Sequence, residues 1–473
     1  MSRPIDSKKR SEQWQELLKK KQYSSLYTYM KEAPPVEVGD FLSYQPLKDC
    51  AAIIELFSIE EQASLFEHLQ ENQQLALYTL IPKRVLADIF ANMSSDIRVD
   101  FYQKLSNNQK IELLPFLSRA VKQDMITLSI YPRETAGGIM STDFVALRHD
   151  STVGEALEQM RKDAPSNKMI YYLYVVNHEM EIMGFVKLRE LVTASPSAPI
   201  TDILHDTFIF SEVREDRESV ARKIEKYDLV ALPVLNSNGQ LVGIVSYDDA
   251  MDVIRVEQTE DMERFMGIVP DESKDDYLQT SSFQHFKKRI SWLIGLFFLS
   301  FFASFIMHKY ESLLSTLGVL ALYLTTINDA GGNAGSQTAT VVIRALSLGQ
   351  VKLKDWLRIV IKECKVALMF ALLLSLLAFV KVVFFASLGE FLGRHLALPK
   401  EGMLQLAFVV AIALSIQVVV STLIGAGLPM FITWLGKDPA LAASPAITTI
   451  VDSTGLFIYF NIALKLLSST AVL

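Results

Sequence analysis

Ser291-Trp-Leu-Ile-Gly-Leu-Phe-Phe-Leu-Ser-Phe-Phe-Ala-Ser-Phe305 decides the architecture of this chain. A run of this kind, uncharged and aromatic, belongs in hydrocarbon. Up to about Arg289 the sequence is rich in Glu, Asp, Lys, Gln and Asn, and from Ile290 onward long apolar stretches dominate. The 473 residues, 50% of them hydrophobic, therefore hold two compositions: a soluble first half of several domains and a second half built for lipid.

Working outward from that stretch, apolar spans lie at about 290–308, 313–343, 364–388, 403–435 and 445–469. Each is long enough to cross about 30 Å of hydrocarbon, and the second and fourth are long enough to tilt or break. Lys287, Lys288 and Arg289 precede the first span. The loop after the second carries Arg344, Lys352, Lys354, Arg358, Lys362 and Lys365 against Asp355 and Glu363. Both basic segments are expected on the cytoplasmic side, which keeps the soluble half cytosolic and puts the C-terminus outside. The start, Met1 to Arg10, has no apolar core and does not read as a signal peptide. A bacterial plasma (inner) membrane is the default location.

The net charge of -7 argues against nucleic acid as a partner, since phosphate binding needs a concentrated basic surface. The two cysteines, Cys50 and Cys364, offer no disulfide or thiolate metal pattern, in keeping with a reducing cytosol.

Residues from about 52 to 126 repeat with a period of roughly 12. Phe57, Leu69, Ile81, Met93, Leu105 and Leu117 each close a segment. Ser58, Ser94, Ser106 and Ser118 suit helix N-caps, with capping boxes at Ser58/Glu61 and Ser106/Gln109, and Pro82 suits a first turn. Apolar pairs recur at Leu65-Phe66, Leu77-Tyr78, Ile89-Phe90, Phe101-Tyr102, Leu113-Leu114 and Met125-Ile126. Helices this short need one another, so a small solenoid with those pairs as its core is predicted.

From about 140 to 258 the period changes and a pattern occurs twice. Helix Val153–Lys162 precedes strands at 170–176 and 184–188; helix Glu218–Lys226 precedes strands Ala231–Leu235 and Leu241–Ser246 across the turn Asn236–Gly239. The duplication resembles a tandem pair of CBS domains, modules that bind nucleotides or ions. Ser246 and Asp249 in the second copy stand where such modules meet a nucleotide, ATP for instance; the alternative reading is a capped helix start with no ligand. The chain then turns acidic, with Asp248, Asp249, Asp252, Glu257, Glu260, Asp261, Glu263, Asp271, Glu272, Asp275 and Asp276. This reads either as a solvated helix or as a sensor. Carboxylates at Asp249/Asp252 and Glu257/Glu260/Asp261 share helix faces, so a compact state would be favoured when divalent cations bridge them.

Polar residues within the spans are the informative ones, because lipid penalises them. The second span contains Asn328-Asp-Ala-Gly-Gly-Asn-Ala-Gly-Ser-Gln-Thr-Ala-Thr340, and the fifth contains Thr448-Thr-Ile-Val-Asp-Ser-Thr-Gly455. At about 1.5 Å per residue, Asn333 lies roughly 16 Å from Arg344 and Asp452 roughly 10 Å from Pro445, depths that let them share one site. Magnesium keeps much of its water and is held by one or two carboxylates, so a sparse set of Asp452, Asn333 and backbone carbonyls suits it. Zinc or copper would need His or Cys there.

The order of short-helix solenoid, two CBS modules, acidic connecting helix and five spans is similar to the MgtE family over essentially the whole chain. Gly331-Gly-Asn-Ala-Gly-Ser-Gln337 resembles that family's second-span signature. Gly436-Lys-Asp-Pro-Ala440, Ser444-Pro445 and Asp452-Ser-Thr-Gly455 resemble its segment from the fourth span into the fifth. The resemblance implies a homodimeric magnesium-selective channel with Asp452 as pore carboxylate beside Asn333, Thr448, Gly332 and Ser444. It further implies a cytosolic magnesium sensor at Glu218, Asp228, Asp249, Asp252, Glu257, Glu260 and Asp261 that holds the pore shut. Three positions depart from the family pattern: Thr325-Thr326 stands where a proline is usual, Asp329 is an extra charge, and Ser444 replaces an Asn.

The expected layout is a helical solenoid at 1–135, CBS modules at 136–200 and 201–258, a connecting or plug helix at 259–288, and a five-helix transmembrane bundle at 289–473. A secondary transporter using the same site with a coupled ion is the nearest alternative. A phosphate-binding Gly-x-x-x-x-Gly-Lys-Ser/Thr loop for ATP-driven pumping is absent, as is a His-Glu-x-x-His helix for an intramembrane protease, so no enzyme is expected. A receptor that transports nothing would leave Asp452 and Asn333 unexplained.

Overall fold

The structure is a computed structural model describing residues 7–163, 169–270, 277–278, 280–391 and 400–467. Asp271, Glu272, Asp275 and Asp276 of the acidic run lie outside the described residues. The chain forms two units, one running to Glu257 and one built mainly of Thr280–Leu473 together with Gln258–Asp271.

The first unit opens with a helical solenoid whose later helices start at Ile59, Glu71, Lys83, Ser95, Asn107 and Arg119, a strict repeat of 12. Capping explains the starts. Ser58 and Ser106 form reciprocal boxes with Glu61 and Gln109, and the Ser118 hydroxyl accepts from the Val121 N–H. Two caps differ from expectation. The Ser94 hydroxyl makes no cap and donates instead to Glu67 Oε1 at 3.0 Å, tying the helix Ser95–Lys104 to the helix Ile59–Glu67 three repeats earlier. Pro82 stands just before the first helical residue, Lys83, where its extended ψ of 135° turns the chain into the helix.

Of the apolar pairs, the first member is always buried, but the second emerges along the solenoid: Phe66, Tyr78 and Phe90 are buried, whereas Leu114 and Ile126 are exposed. Edge-to-face contacts of Phe101 with Phe66 (5.3 Å) and Phe90 (5.5 Å) tie three repeats into one core.

Each CBS copy carries three strands, one more than the sequence pattern predicts. β1 (Phe144–Arg148) runs parallel to β2 (Met169–Val176), which is antiparallel to β3 (Ile182–Lys187); β4 (Ser211–Glu212), β5 (Ala231–Leu235) and β6 (Leu241–Ser246) repeat that order. Strands of five and two residues at a sheet edge are too short for alternation to declare them. The copies join where Phe185 and His205 exchange backbone hydrogen bonds and Leu241 N–H donates to Met180 O. The solenoid is sewn to them by Ser95, whose N–H donates to Asp143 Oδ2 at 2.9 Å.

The connecting helix is Tyr247–Phe265, earlier than the expected 259–288. Gly267, at φ +69°, ends it with Ile268 N–H donating to Glu263 O and Gly267 N–H to Arg264 O, the double bond of a glycine-closed helix. A fresh helix begins after Ser281, boxed with Gln284.

The second unit has five long helices: Ser282–Lys309, Ala321–Ser347, Trp356–Phe391, Lys400–Trp434 and Ser444–Leu467. Four are long and apolar enough to cross a membrane; Ala321–Ser347 falls short of that apolarity because of its polar residues. The second expected span, 313–343, is broken: a short helix Glu311–Thr316 and a 3-10 turn Gly318–Leu320 precede Ala321. The third helix begins at Trp356, not 364, so Arg358, Lys362 and Lys365 occupy its first turns and not a loop. Long basic side chains form helix readily and can carry their charge back toward water. The fourth helix is the bundle's centre, and among the described residues its buried polar side chains are Gln417, Ser421 and Thr422.

Candidate functional site

Glycines let the second, fourth and fifth helices meet. A Cβ added at Gly425 would fall 2.2 Å from Gly335 O, and one at Gly332 would fall 3.2 Å from Thr448 Cγ2. Any larger residue would push these helices apart, so the second span's polar face is brought against the fifth.

Where they meet, a cavity of about 440 Å³ opens, lined on one wall by Asn328, Asp329, Gly332 and Asn333 and on the other by Thr448 and Asp452. The spacing 328/329 to 332/333 and 448 to 452 is one helical turn on each wall, which stacks polar groups along a path. The structure thus gathers four of the five pore positions expected from sequence. The fifth, Ser444, lies a turn before Thr448 and outside the lining: its hydroxyl donates to Ser336 Oγ at 3.0 Å, and its carbonyl accepts from Thr448 Oγ1 at 3.1 Å. Asp329 and Asn328 were missed as site residues, although their four-residue offset from Asn333 and Gly332 was the available signal. Neither lysine nor arginine lines the cavity. Two carboxylates, two amides and the hydroxyl-bearing Thr325 and Thr448 make an oxygen-rich environment suited to a hard, hydrated cation.

The carboxylates expected to sense the cation divide into groups. In the first unit, Asp249 is brought toward Asp96 of the helix Ser95–Lys104. Burial raises the pKa of Asp96 to about 8, with the charges of Asp249 and Asp143 adding to it. Burial likewise lifts Asp249 to about 6, against a hydrogen bond from Ser246 and with Asp248 and Asp252 adding repulsion. Asp96 was not anticipated, because one acid in a helix's first turn looks like ordinary dipole compensation. Burial also raises Glu218, opposed by Arg222 and reinforced by Glu257.

Arginines neutralise much of the predicted repulsion. Arg222 pairs with Glu218, Arg217 with Glu257 at 2.7 Å, and Arg255 with Asp252 at 3.5 Å. Asp228 is exposed at φ +51°, a helix-ending position apart from these pairs. In the second unit, Arg264 pairs with Glu260, and Asp261 lies on the same helix. Among the described residues, no three His, Cys, Asp or Glu side chains converge closely enough to ligate one bare ion. Ser246 and Asp249 satisfy each other: Ser246 N–H donates to Asp249 Oδ2 at 3.2 Å, and Asp249 N–H donates to Ser246 Oγ at 3.3 Å.

Solenoid, CBS pair and a helical bundle with an acidic, amide-lined cavity define a polytopic membrane protein of the cation-transport class. Comparison with known proteins agrees. The family described as MgtE, divalent cation transporter, matches residues 324–462; the MgtE intracellular N domain matches 33–134, and CBS domains match 136–197 and 189–256. The chain is 31% identical to the magnesium transporter MgtE of Thermus thermophilus over 470 residues, 93% of this chain and 100% of that one. It is 28% identical to MgtE of Bacillus subtilis over 93% of each chain. Among solved structures, the soluble part of a magnesium transporter matches 53% of this chain and 99% of its own at 31% identity and a TM-score of 0.50. This chain belongs to the MgtE family.

Proposed function

We propose that the protein is a magnesium-selective channel, a homodimer in the plasma membrane with its solenoid and CBS pair in the cytosol. The observation that carries this is the cavity between the second and fifth long helices, where Asp452 faces Asn328, Asp329 and Asn333 and, among the described residues, no basic side chain is in the lining. Magnesium sheds water reluctantly, and carboxylates with amides can hold it through its own waters. Relatives across most of the chain's length bear the name magnesium transporter, which supports the choice of ion. A membrane potential supplies about 2.3 kcal/mol per charge per 100 mV, doubled for a divalent ion, so inward flow needs no coupled partner.

Closure is assigned to cytosolic magnesium at Glu218, Asp228, Asp249, Asp252, Glu257, Glu260 and Asp261, and we include Asp96 with them. Repulsion between Asp96 and Asp249 supports this, because a divalent cation offsets it as a proton does. ATP at the CBS pair is a further part of the proposal. To use Ser246 and Asp249 it would have to open the box those residues make with each other, and calorimetric titration of ATP into protein with and without Ser246→Ala tests that.

The deciding experiment is magnesium current across membrane patches containing the protein while cytosolic-side magnesium is raised. Current at low magnesium that shuts at high magnesium is expected. A folded, inserted protein that passes none would end the channel reading.

A further inference from the structure

Gln417 sits midway along the fourth helix with none of its surface exposed, and it does not line the cavity. An amide in such a place is costly unless its groups are used, and a leucine or methionine would fill the same space without that cost. Its position shows what it is used for. Gln417 Nε2 donates to the Val451 carbonyl at 2.8 Å. The same carbonyl accepts from Thr454 Oγ1, also at 2.8 Å. Val451 immediately precedes Asp452, so two side chains fix the peptide that carries the cavity's carboxylate.

The amide reaches that carbonyl only because glycines stand on both sides. A Cβ at Gly331 would lie 2.8 Å from Gln417 Nε2, and one at Gly455 would lie 2.9 Å from it. The atom nearest the Gly455 position is Asn328 Oδ1, at 2.8 Å, so the Asn328 and Gln417 amides share one gap. Asn328 is itself in the cavity wall. Gln417 therefore holds the backbone of one wall, and its amide borders the same glycine gap as Asn328 of the other.

We propose that Gln417 is a positioning residue of the conduction pathway, setting from behind the placement of Asp452 beside the passing cation. The proposal rests on reading the cavity as the pore. A side chain that only packed would tolerate any apolar group of equal shape. One that aims the carboxylate cannot lose its N–H without changing how the cation is held.

The test is magnesium flux through full-length protein in lipid vesicles, measured against magnesium concentration and in competition with sodium. Wild type, Gln417→Met, Gly455→Ala and Asp452→Asn are compared per amount of folded, inserted protein. Gln417→Met keeps the shape and removes the donor; a half-saturating magnesium concentration raised about fivefold to tenfold, the scale of one lost buried hydrogen bond, is expected, with weaker rejection of sodium. Half-saturation and sodium rejection as in wild type would overturn the inference, even if less protein folded. Should Gln417→Met not fold, Gly455→Ala takes its place, since the added methyl displaces the amide and leaves Gln417 intact; wild-type behaviour there would overturn it equally. Undiminished flux through Asp452→Asn would overturn the pore reading beneath the inference. Loss of flux in Asp452→Asn beside unaltered behaviour in Gln417→Met would overturn the inference alone.

Discussion

Arg264, in the last turn of the connecting helix, bonds Asp438 of the turn between the fourth and fifth long helices, and holds Glu260 on its other side. Phe265, the next residue, packs with Ala440, Ala442 and Ile447 of the same region. The end of the helix that carries the carboxylates proposed to sense magnesium is thereby fastened to the segment leading into Asp452. Breaking the fastening with Asp438→Asn should leave flux intact at low magnesium and weaken closure. The pair is partly exposed, so about 1 kcal/mol is the expected scale, a several-fold rise in the magnesium needed to shut the pore. Patch recording across a magnesium series reads it, and an unmoved closure curve counts against the coupling.

Asp452→Ala should abolish magnesium flux, because it removes the half-buried carboxylate of the fifth helix, one of two acidic residues among the described cavity lining. Asp329→Asn should be milder, lowering selectivity over monovalent ions while flux persists, since Asp329 is exposed and its field is screened more by water than that of the half-buried Asp452. Vesicle uptake with a fluorescent magnesium indicator distinguishes the two. Equal effects would mean that the carboxylates act as one unit.

The pH dependence follows from Asp96. Its proton is held to about 8 in the folded protein against an ordinary value of 3.8. Between those values the unfolded chain binds fewer protons than the native one, so stability is full below about 3.8 and is lost as pH rises toward 8. Thermal unfolding of the magnesium-free protein should drop between pH 5 and pH 8 by an amount on the order of a few kcal/mol or less. Asp96→Asn should flatten the curve, and magnesium should restore stability most at the higher pH, where protons compete least. A curve unchanged by Asp96→Asn would place the dependence elsewhere.

The solenoid core has a centre and a margin. Phe101→Ala removes the ring that meets both Phe66 and Phe90 and should cost about 3 to 5 kcal/mol. Ile126→Ala, at a position 58% exposed, should change stability by no more than about 0.5 kcal/mol. Denaturant melts of the two variants decide whether the second members of the late apolar pairs belong to the core.

Local patterns fixed most of the fold. Cap residues and a period of 12 were enough to start helices at the right residues, because a cap acts within one turn. The duplicated strands with their glycine turns were legible for the same reason, and the unbroken run around Phe297 to Phe302 declared hydrocarbon outright. Short edge strands, and the true start of the third helix at Trp356, were hidden because neighbours and solvent decide them, not composition.

The candidate site divides along the same line. Sequence alone determined that Asp452 and Asn333 have no place facing lipid and must meet a protein interior or water, since the penalty depends only on the residue and its depth. Only the tertiary structure decided what they meet. Gly332 against Thr448 sets how near the second and fifth helices come, and that distance turns Asp329 from an odd charge into part of the cavity wall. Ser444, which shares its motif, is turned away to Ser336, and Asp96 reaches Asp249 across some 150 residues of chain. Burial, hydrogen bonding and repulsion depend on distances in space, and nothing in the spacing of residues along a chain encodes which turns of separate helices will touch.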